Sequence, residues 1–207
     1  TAEASFAYDG TATQTIITDS KIEYHHLIIT NAHQANLDGP LPAAQLLGDL
    51  TVNSGATLNQ ATFAVTSTGD VTSNSGTITQ SGALTVGGDY ANNGTGTHTS
   101  TANVIVAGSF TNAGDYSPTS VSLDVGGDFT NSGSYIAAGA NNNINVAGNF
   151  ANTGTYTYAE EDIVTLDGTS GVQTMTGTTE FNFLTINNTG TSVTNSGTVS
   201  VQSILDI

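Results

Sequence analysis

The sequence predicts an all-β fold: a single β-solenoid, parallel β-helix-like, of about ten coils with a repeat of about 20 residues. Three observations carry this reading. First, one phrase recurs four times. Leu84-Thr-Val86-Gly-Gly88-Asp-Tyr90-Ala-Asn92-Asn-Gly94 returns as Val104-Ile-Val106-Ala-Gly108-Ser-Phe110-Thr-Asn112-Ala-Gly114, then from Leu123 to Gly133 and from Ile144 to Gly154. The second small-residue glycines, 88, 108, 127 and 148, are 20, 19 and 21 residues apart. Second, apolar residues alternate inside each copy, which is the period of a half-buried strand. Third, the corner residues keep their identity from copy to copy. A stack needs that identity, because every residue sits over its counterpart; an antiparallel sandwich with regular turns does not. The in-register recurrence of Val, Ile, Leu, Phe and Tyr also sets the chain apart from low-complexity disorder.

The chain reads in three parts. Residues 1–45 form an N-terminal β module with the first coils, 46–158 the regular repeats, and 159–207 a C-terminal module resembling the first. Its start, Thr1, has no initiator Met and reads as an end exposed by processing. In the first module, Tyr8-Asp-Gly10 precedes Gln14, and Leu27-Ile-Ile29-Thr-Asn31 follows. The Asp-Gly is a turn signal between strands. Asn36 to Ala44, with two of the three prolines, reads as a loop into the coils. The repeat then extends upstream in Gly48-Asp-Leu50 and Gly69-Asp-Val71, with Asn53 and Asn74 taken as the corner asparagines after one extra residue.

In the regular coils, Leu84, Val104, Leu123 and Ile144 are expected to stack as an aliphatic column. Tyr90, Phe110, Phe129 and Phe150 make an aromatic one. Asn92, Asn112, Asn131 and Asn152 make an amide ladder able to hydrogen-bond along the axis. The paired small residues permit a turn without a Cβ penalty. Pro118 reads as a corner insertion, since proline cannot donate inside a ladder. In the last module, Leu166-Asp-Gly168 leads to Gln173-Thr-Met175, then to Phe181-Asn-Phe-Leu184-Thr-Ile186-Asn-Asn188, the same grammar as the start.

Composition narrows the function. The chain has 207 residues, 17 acidic side chains, one lysine (Lys21) and no arginine, a net charge of −16. Such a surface repels phosphate polyanions, so nucleic acid is not expected as a partner, nor are anionic membranes. No apolar run is long enough for a membrane span, so no membrane insertion is expected. The near-absence of lysine and arginine leaves a trypsin-type protease little to cut, which suits life outside the cell.

Candidate chemistry is sparse. Asp49, Asp70 and Asp89 follow the origin glycine in successive repeats with no neutral residue between, and are the candidate Ca²⁺ ligands. The plainer reading is a solvated turn face in which Asp and Asn bond backbone; the Gly-Gly-x-Gly-x-Asp calcium nonapeptide is missing. No other cofactor is expected. His25, His26 and His33 cluster within nine residues but read, with His98, as ordinary strand or loop histidines. Glu160, Glu161 and Asp162 form the one acidic run and read as a solvated turn, because neighbours on a strand point to opposite faces. No nucleophile elbow, phosphate loop or zinc signature occurs, so no enzyme is expected.

Asp167-Gly-Thr-Ser-Gly-Val-Gln-Thr-Met-Thr-Gly177, followed by Phe181-Asn-Phe-Leu-Thr-Ile-Asn-Asn188, resembles the repeats of secreted adhesin-like surface proteins of Bacteroidota and related bacteria. The match covers about 25 residues at each end, and the coils between are similar in style. The resemblance implies a β-solenoid and an extracellular location, secreted or on a cell-surface appendage. Those proteins often run far longer and carry a C-terminal sorting domain, which is not visible here.

The ends direct the functional expectation. Ala4-Ser-Phe6-Ala-Tyr8 and Val199-Ser-Val201-Gln-Ser-Ile204-Leu-Asp-Ile207 are strand-like, and no amphipathic capping helix accompanies them. Terminal rungs expose unpaired backbone groups, and a heterologous contact that does not close makes a filament. Phe6, Tyr8, Val199, Val201, Ile204 and Ile207 are therefore the candidate assembly interface. The partner is another copy, head-to-tail, in a non-enzymatic filament subunit. The other reading is an adhesin stalk or passenger segment that binds surface glycans through exposed aromatics.

Overall fold

In the computed structural model, which describes residues 4–30 and 32–207, the chain winds as one stack of parallel coils. Thr1 and Asn31 lie outside the described residues. Each regular coil has three strands, so the stack has three walls. The first wall begins with Ser5–Tyr8 and His26–Ile29 and runs through Leu50–Asn53, Val71–Asn74 and Tyr90–Asn93 to Phe150–Asn152. The second runs from Gln14–Ile16 to Thr155–Thr157. The third runs from Val65–Ser67 to Ile163–Leu166. The long strand Val172–Ile186 crosses from first wall to third, pairing with Phe150–Asn152 at its start and Ile163–Leu166 at its end. Ser192–Asn195 and Thr198–Asp206 lie along it as the last rung. No helix occurs among the described residues, hence none that is long and apolar enough to cross a membrane.

The interior follows from the period of two. In each strand the alternate residues are buried, and the stack brings like over like. Leu84 pairs with Val104, Val104 with Leu123 and Leu123 with Ile144, as the spacing predicts. Tyr90, Phe110, Phe129 and Phe150 stack face to face, with centroids 4.9, 5.4 and 4.7 Å apart and planes within 10°. A second aromatic column, Tyr116, Tyr135 and Tyr156, stands against the first edge-on, so the two sets fill the prism with T-shaped contacts.

The amide ladder is present and fully buried. Asn92 donates to Asn112 at 2.9 Å, Asn112 to Asn131 at 2.8 Å and Asn131 to Asn152 at 2.8 Å, always Nδ2 to Oδ1. Each Nδ2 also reaches a carbonyl of the next coil, as Asn112 does with Ser134 at 2.9 Å. The ladder thus stitches coil to coil where no water enters, which is what a buried amide requires.

Three sequence assignments change. Asn53 and Asn74 do not belong to that ladder: Val52 and Ser73 occupy the column of Asn92, while Asn53 and Asn74 align with Asn93. They form a second, outer amide row, in which Asn93 Nδ2 donates to Asn74 Oδ1 at 3.2 Å. Pro118 is not an insertion but the last residue of Asp115–Pro118, buried and opposite Ser100. Its carbonyl accepts from Ala138 at 2.8 Å, and Thr119, not the proline, donates back to Ser100. The stretch 36–44 is not all loop: Gln34–Leu37 is a strand, and Leu41 is buried and bridges Val65.

Candidate assembly surfaces

Three polar or open features stand out from the rods of core side chains. The first is the aspartate column. At the corner between third and first walls, Asp49 Oδ1 accepts the N–H of Asp70 (2.9 Å) and Asp70 Oδ1 that of Asp89 (2.8 Å). Asp89 Oδ1 accepts that of Ser109 (2.7 Å). Ser109 Oγ then accepts from Asp128, Asp128 Oδ1 from Asn149, and Asn149 Oδ1 from Thr174. At the other end His26 Nδ1 accepts from Asp49 N–H at 3.2 Å. The column is therefore a run of side-chain caps on the backbone of the following coil, the Asx-type bonding that turns favour. The glycines 69, 88, 108 and 148 make room for it. A Cβ on any of them would overlap the carboxylate oxygen reaching up from the coil before. These glycines hold no positive φ, so close approach and not turn conformation is the reason for them. Asp49, Asp70 and Asp89 occupy successive rungs of this column, and among the described residues no three His, Asp or Glu side chains converge as a metal site.

The second feature is a buried histidine network that the sequence did not signal. His98, Gln80 and Tyr90 are all almost wholly buried. Gln80 Nε2 donates to the carbonyls of Gly82, Ala102 and Asn103. Its Oε1 is thereby left to accept, so His98 Nε2 carries the proton and donates at 2.8 Å. His98 Nδ1 then accepts from the Tyr90 hydroxyl. Burial lowers the His98 pKa to about 3 and pushes the Tyr90 hydroxyl up, so both stay neutral. Gln60, one coil earlier, donates to the carbonyls of Phe63, Gly82 and Ala83. The available signal was the recurrence of Gln60, Gln80 and Ser100 at intervals of 20 residues.

The acidic run at 160–162 is only partly a solvated turn. Glu160 and Glu161 are exposed, but Asp162 is buried and accepts from Ala159 N–H at 2.7 Å and from both amides of Asn142. Burial raises the Asp162 pKa, and these three bonds oppose the rise.

The third feature is the pair of end faces. On the N-terminal face, Ser5–Tyr8 has a strand partner on one side only among the described residues, His26–Ile29. Phe6 is 51% exposed, with its ring 5.3 Å from that of Tyr8 and 5.4 Å from that of Tyr24. Tyr8 is turned inward, its hydroxyl 3.0 Å from that of Tyr24. Burial and the neighbouring Tyr8 raise the Tyr24 pKa. On the C-terminal face, Val199 and Val201 point into the stack and line an apolar hollow of about 680 Å³ with Met175, Leu184, Val193 and Leu205. Ile207 closes one rim and is 89% exposed. Ile204 sits on the outer side, in the column of Ile163 and Phe183, and is 58% exposed. Of the six sequence-predicted interface residues, Phe6, Val199, Val201, Ile204 and Ile207 thus lie on the two end rungs with apolar surface showing, whereas Tyr8 contributes backbone. Met175, Leu184, Val193 and Leu205 were not foreseen, because the hollow depends on which side chains of the first and third walls the last described rung leaves uncovered.

The two end modules share one device. Gly10 N–H donates to Gln14 Oε1 at 2.9 Å, and Gly168 N–H to Gln173 Oε1 at 3.3 Å. The repeated Asp-Gly and Gln are a turn clamp. The fold and these surfaces define a three-walled parallel β-solenoid. No protein-family model, curated protein or solved structure matches the chain.

Proposed function

We propose that the chain is a non-enzymatic structural subunit of an extracellular filament, assembled by head-to-tail β-strand pairing between the two ends of the stack. The observation that carries this is the pairing state of the end rungs. Among the described residues, Ser5–Tyr8 is bonded on one side, as are Ser192–Asn195 and Thr198–Asp206 on the other end. Each presents free backbone groups, and each is flanked by exposed apolar side chains: Phe6 at one end, Leu205 and Ile207 at the other. An open strand edge is a template for another chain, and addition of a strand supplies both hydrogen bonds and side-chain contacts. The charge of −16 opposes lateral clumping and leaves axial pairing open. The resemblance of the end motifs, at 167–177 and 181–188, to repeats of exported surface proteins is what favours the extracellular setting.

Negative-stain electron microscopy of the purified chain at micromolar concentration tests the proposal. Unbranched fibres are the expected result, unchanged by a chelator, since the aspartate column already bonds backbone. Monodisperse short rods at all concentrations overturn it. The adhesin-stalk reading receives less support, because most rings are packed inside: Phe63, Tyr158 and Phe183 are half-buried, and Phe6, the one exposed phenylalanine among the described residues, sits at the end and not along a wall.

A further inference from the structure

We infer the register of the junction: Ser5 and Phe6 of one copy lie opposite Thr194 and Asn195 of the next, with the Phe6 ring seated over the C-terminal hollow. This rests on the head-to-tail reading and adds the residues that meet.

The argument comes from the columns. Along the first wall, Phe6 pairs with Leu27, Leu27 with Leu50, and Leu50 with Val71. The same column continues through Tyr90, Phe110, Phe129 and Phe150 to Met175 and ends at Asn195. Phe6 is therefore an inward position whose ring no described rung covers. At the far end the column stops on Asn195, which with Met175 and aliphatic side chains lines a hollow that has no ring among its walls. An exposed ring in the core column at one end faces a ring-free cavity in the same column at the other. The outer column gives the same register. Ser5 pairs with His26 at the start, and Thr174 with Thr194 at the end. Gly197 stacks on Gly177, which aligns with Asn152, and so falls beneath Tyr8 of the added copy. Parallel pairing also sets polarity. Two N-terminal edges brought together would run antiparallel, against every strand-to-strand pairing in the stack.

The absence of cysteine makes a direct test clean. In-register neighbours in a parallel sheet stand about 4.8 Å apart, inside the Cα range of a disulfide, about 4.4–6.8 Å, whereas a two-residue slip takes them to about 8 Å. Chains carrying Ser5→Cys and chains carrying Thr194→Cys are oxidised alone and mixed, beside Ala7→Cys mixed with Thr194→Cys. The expected result is covalent dimer only in the Ser5→Cys and Thr194→Cys mixture. Fibres that cross-link equally through Ala7→Cys, or Ser5→Cys chains that cross-link to themselves, overturn the register while leaving assembly standing. No cross-link and no fibres in any sample overturn both. As a second measurement, Phe6→Glu is expected to raise the concentration needed for assembly at least tenfold while the single chain stays folded, its melting temperature lowered by only a few degrees through the lost contacts with Tyr8 and Tyr24. An unchanged assembly concentration removes Phe6 from the junction.

Discussion

The carboxylate of Asp70 caps the coil after its own: its Oδ1 accepts the backbone N–H of Asp89 at 2.8 Å, across a gap kept open by Gly88. The bond needs an acceptor oxygen and not a charge, since Ser109 and Asn149 fill the same role further along. Asp70→Asn is therefore expected to change stability by less than about 0.5 kcal/mol, with relief of like-charge repulsion offsetting a weaker acceptor. Gly88→Ala pushes a methyl into that oxygen and is expected to cost about 1–3 kcal/mol. Urea unfolding of the two variants against the parent separates them; equal losses would contradict the cap.

The asparagine ladder has an open acceptor at its first member. Asn92 Oδ1 is buried without a partner, while Ser73 in the preceding coil spends its hydroxyl on the carbonyl of Gly76. Ser73→Asn places an amide in the ladder's own geometry and is expected to stabilise by about 0.5–1.5 kcal/mol, the worth of one satisfied hydrogen bond. Asn112→Ala, in mid-ladder, removes the donor to the buried Oδ1 of Asn131, leaves a void in the column and is expected to cost at least about 2 kcal/mol. Thermal melts of both variants check the opposite signs.

Much of this was legible in the chain. The identity of residues 84, 104, 123 and 144, or 92, 112, 131 and 152, reports the column directly, because stacking places like atoms over like. Where corner length varies, counting from a glycine fails: Asn53 and Asn74 sit one place beyond the buried column, and only strand register reveals it. The role of Gly88 was also hidden, since its φ is ordinary and the demand comes from Asp70, 18 residues earlier. The histidine network was harder to read, because His98 and Gln80 of the second wall meet Tyr90 of the first, a contact that strand period alone does not reveal. The C-terminal hollow was invisible because it depends on which side chains the last rung fails to cover.

His98 makes stability fall on acidification. Its folded pKa, about 3, lies below the unfolded value near 6.5. Between them the unfolded chain holds the extra proton, so this contribution is full above pH 6.5, declines as pH falls, and levels off near pH 3. From pH 6.5 to 4.5 the loss is on the order of 2 kcal/mol. Asp162 and Asp167, raised by burial, act in the opposite direction, gaining stability as pH falls through their folded values. The His98 share is isolated by comparing parent and His98→Gln in urea titrations at pH 7 and 4.5. The parent is expected to lose more stability than the variant over that interval, and equal losses would refute the assignment.

Gly177 and Gly55 separate backbone strain from collision. Both hold positive φ, +87° and +78°. Beside Gly55 an added Cβ meets nothing within 4 Å, so Gly55→Ala is charged only with the left-handed conformation, about 1 kcal/mol. At Gly177 the same atom would overlap the carbonyl oxygen of Asn152, the last member of the ladder, whose amide also holds Thr178 O at 2.8 Å. Relief there means moving the corner of Val172–Ile186 away from the coil before it, and with it the C-terminal end face. Gly177→Ala is therefore expected to cost at least about 3 kcal/mol. Hydrogen exchange should show the added loss concentrated in residues 172–206, and a uniform loss along the stack would mean that the corner does not anchor this end.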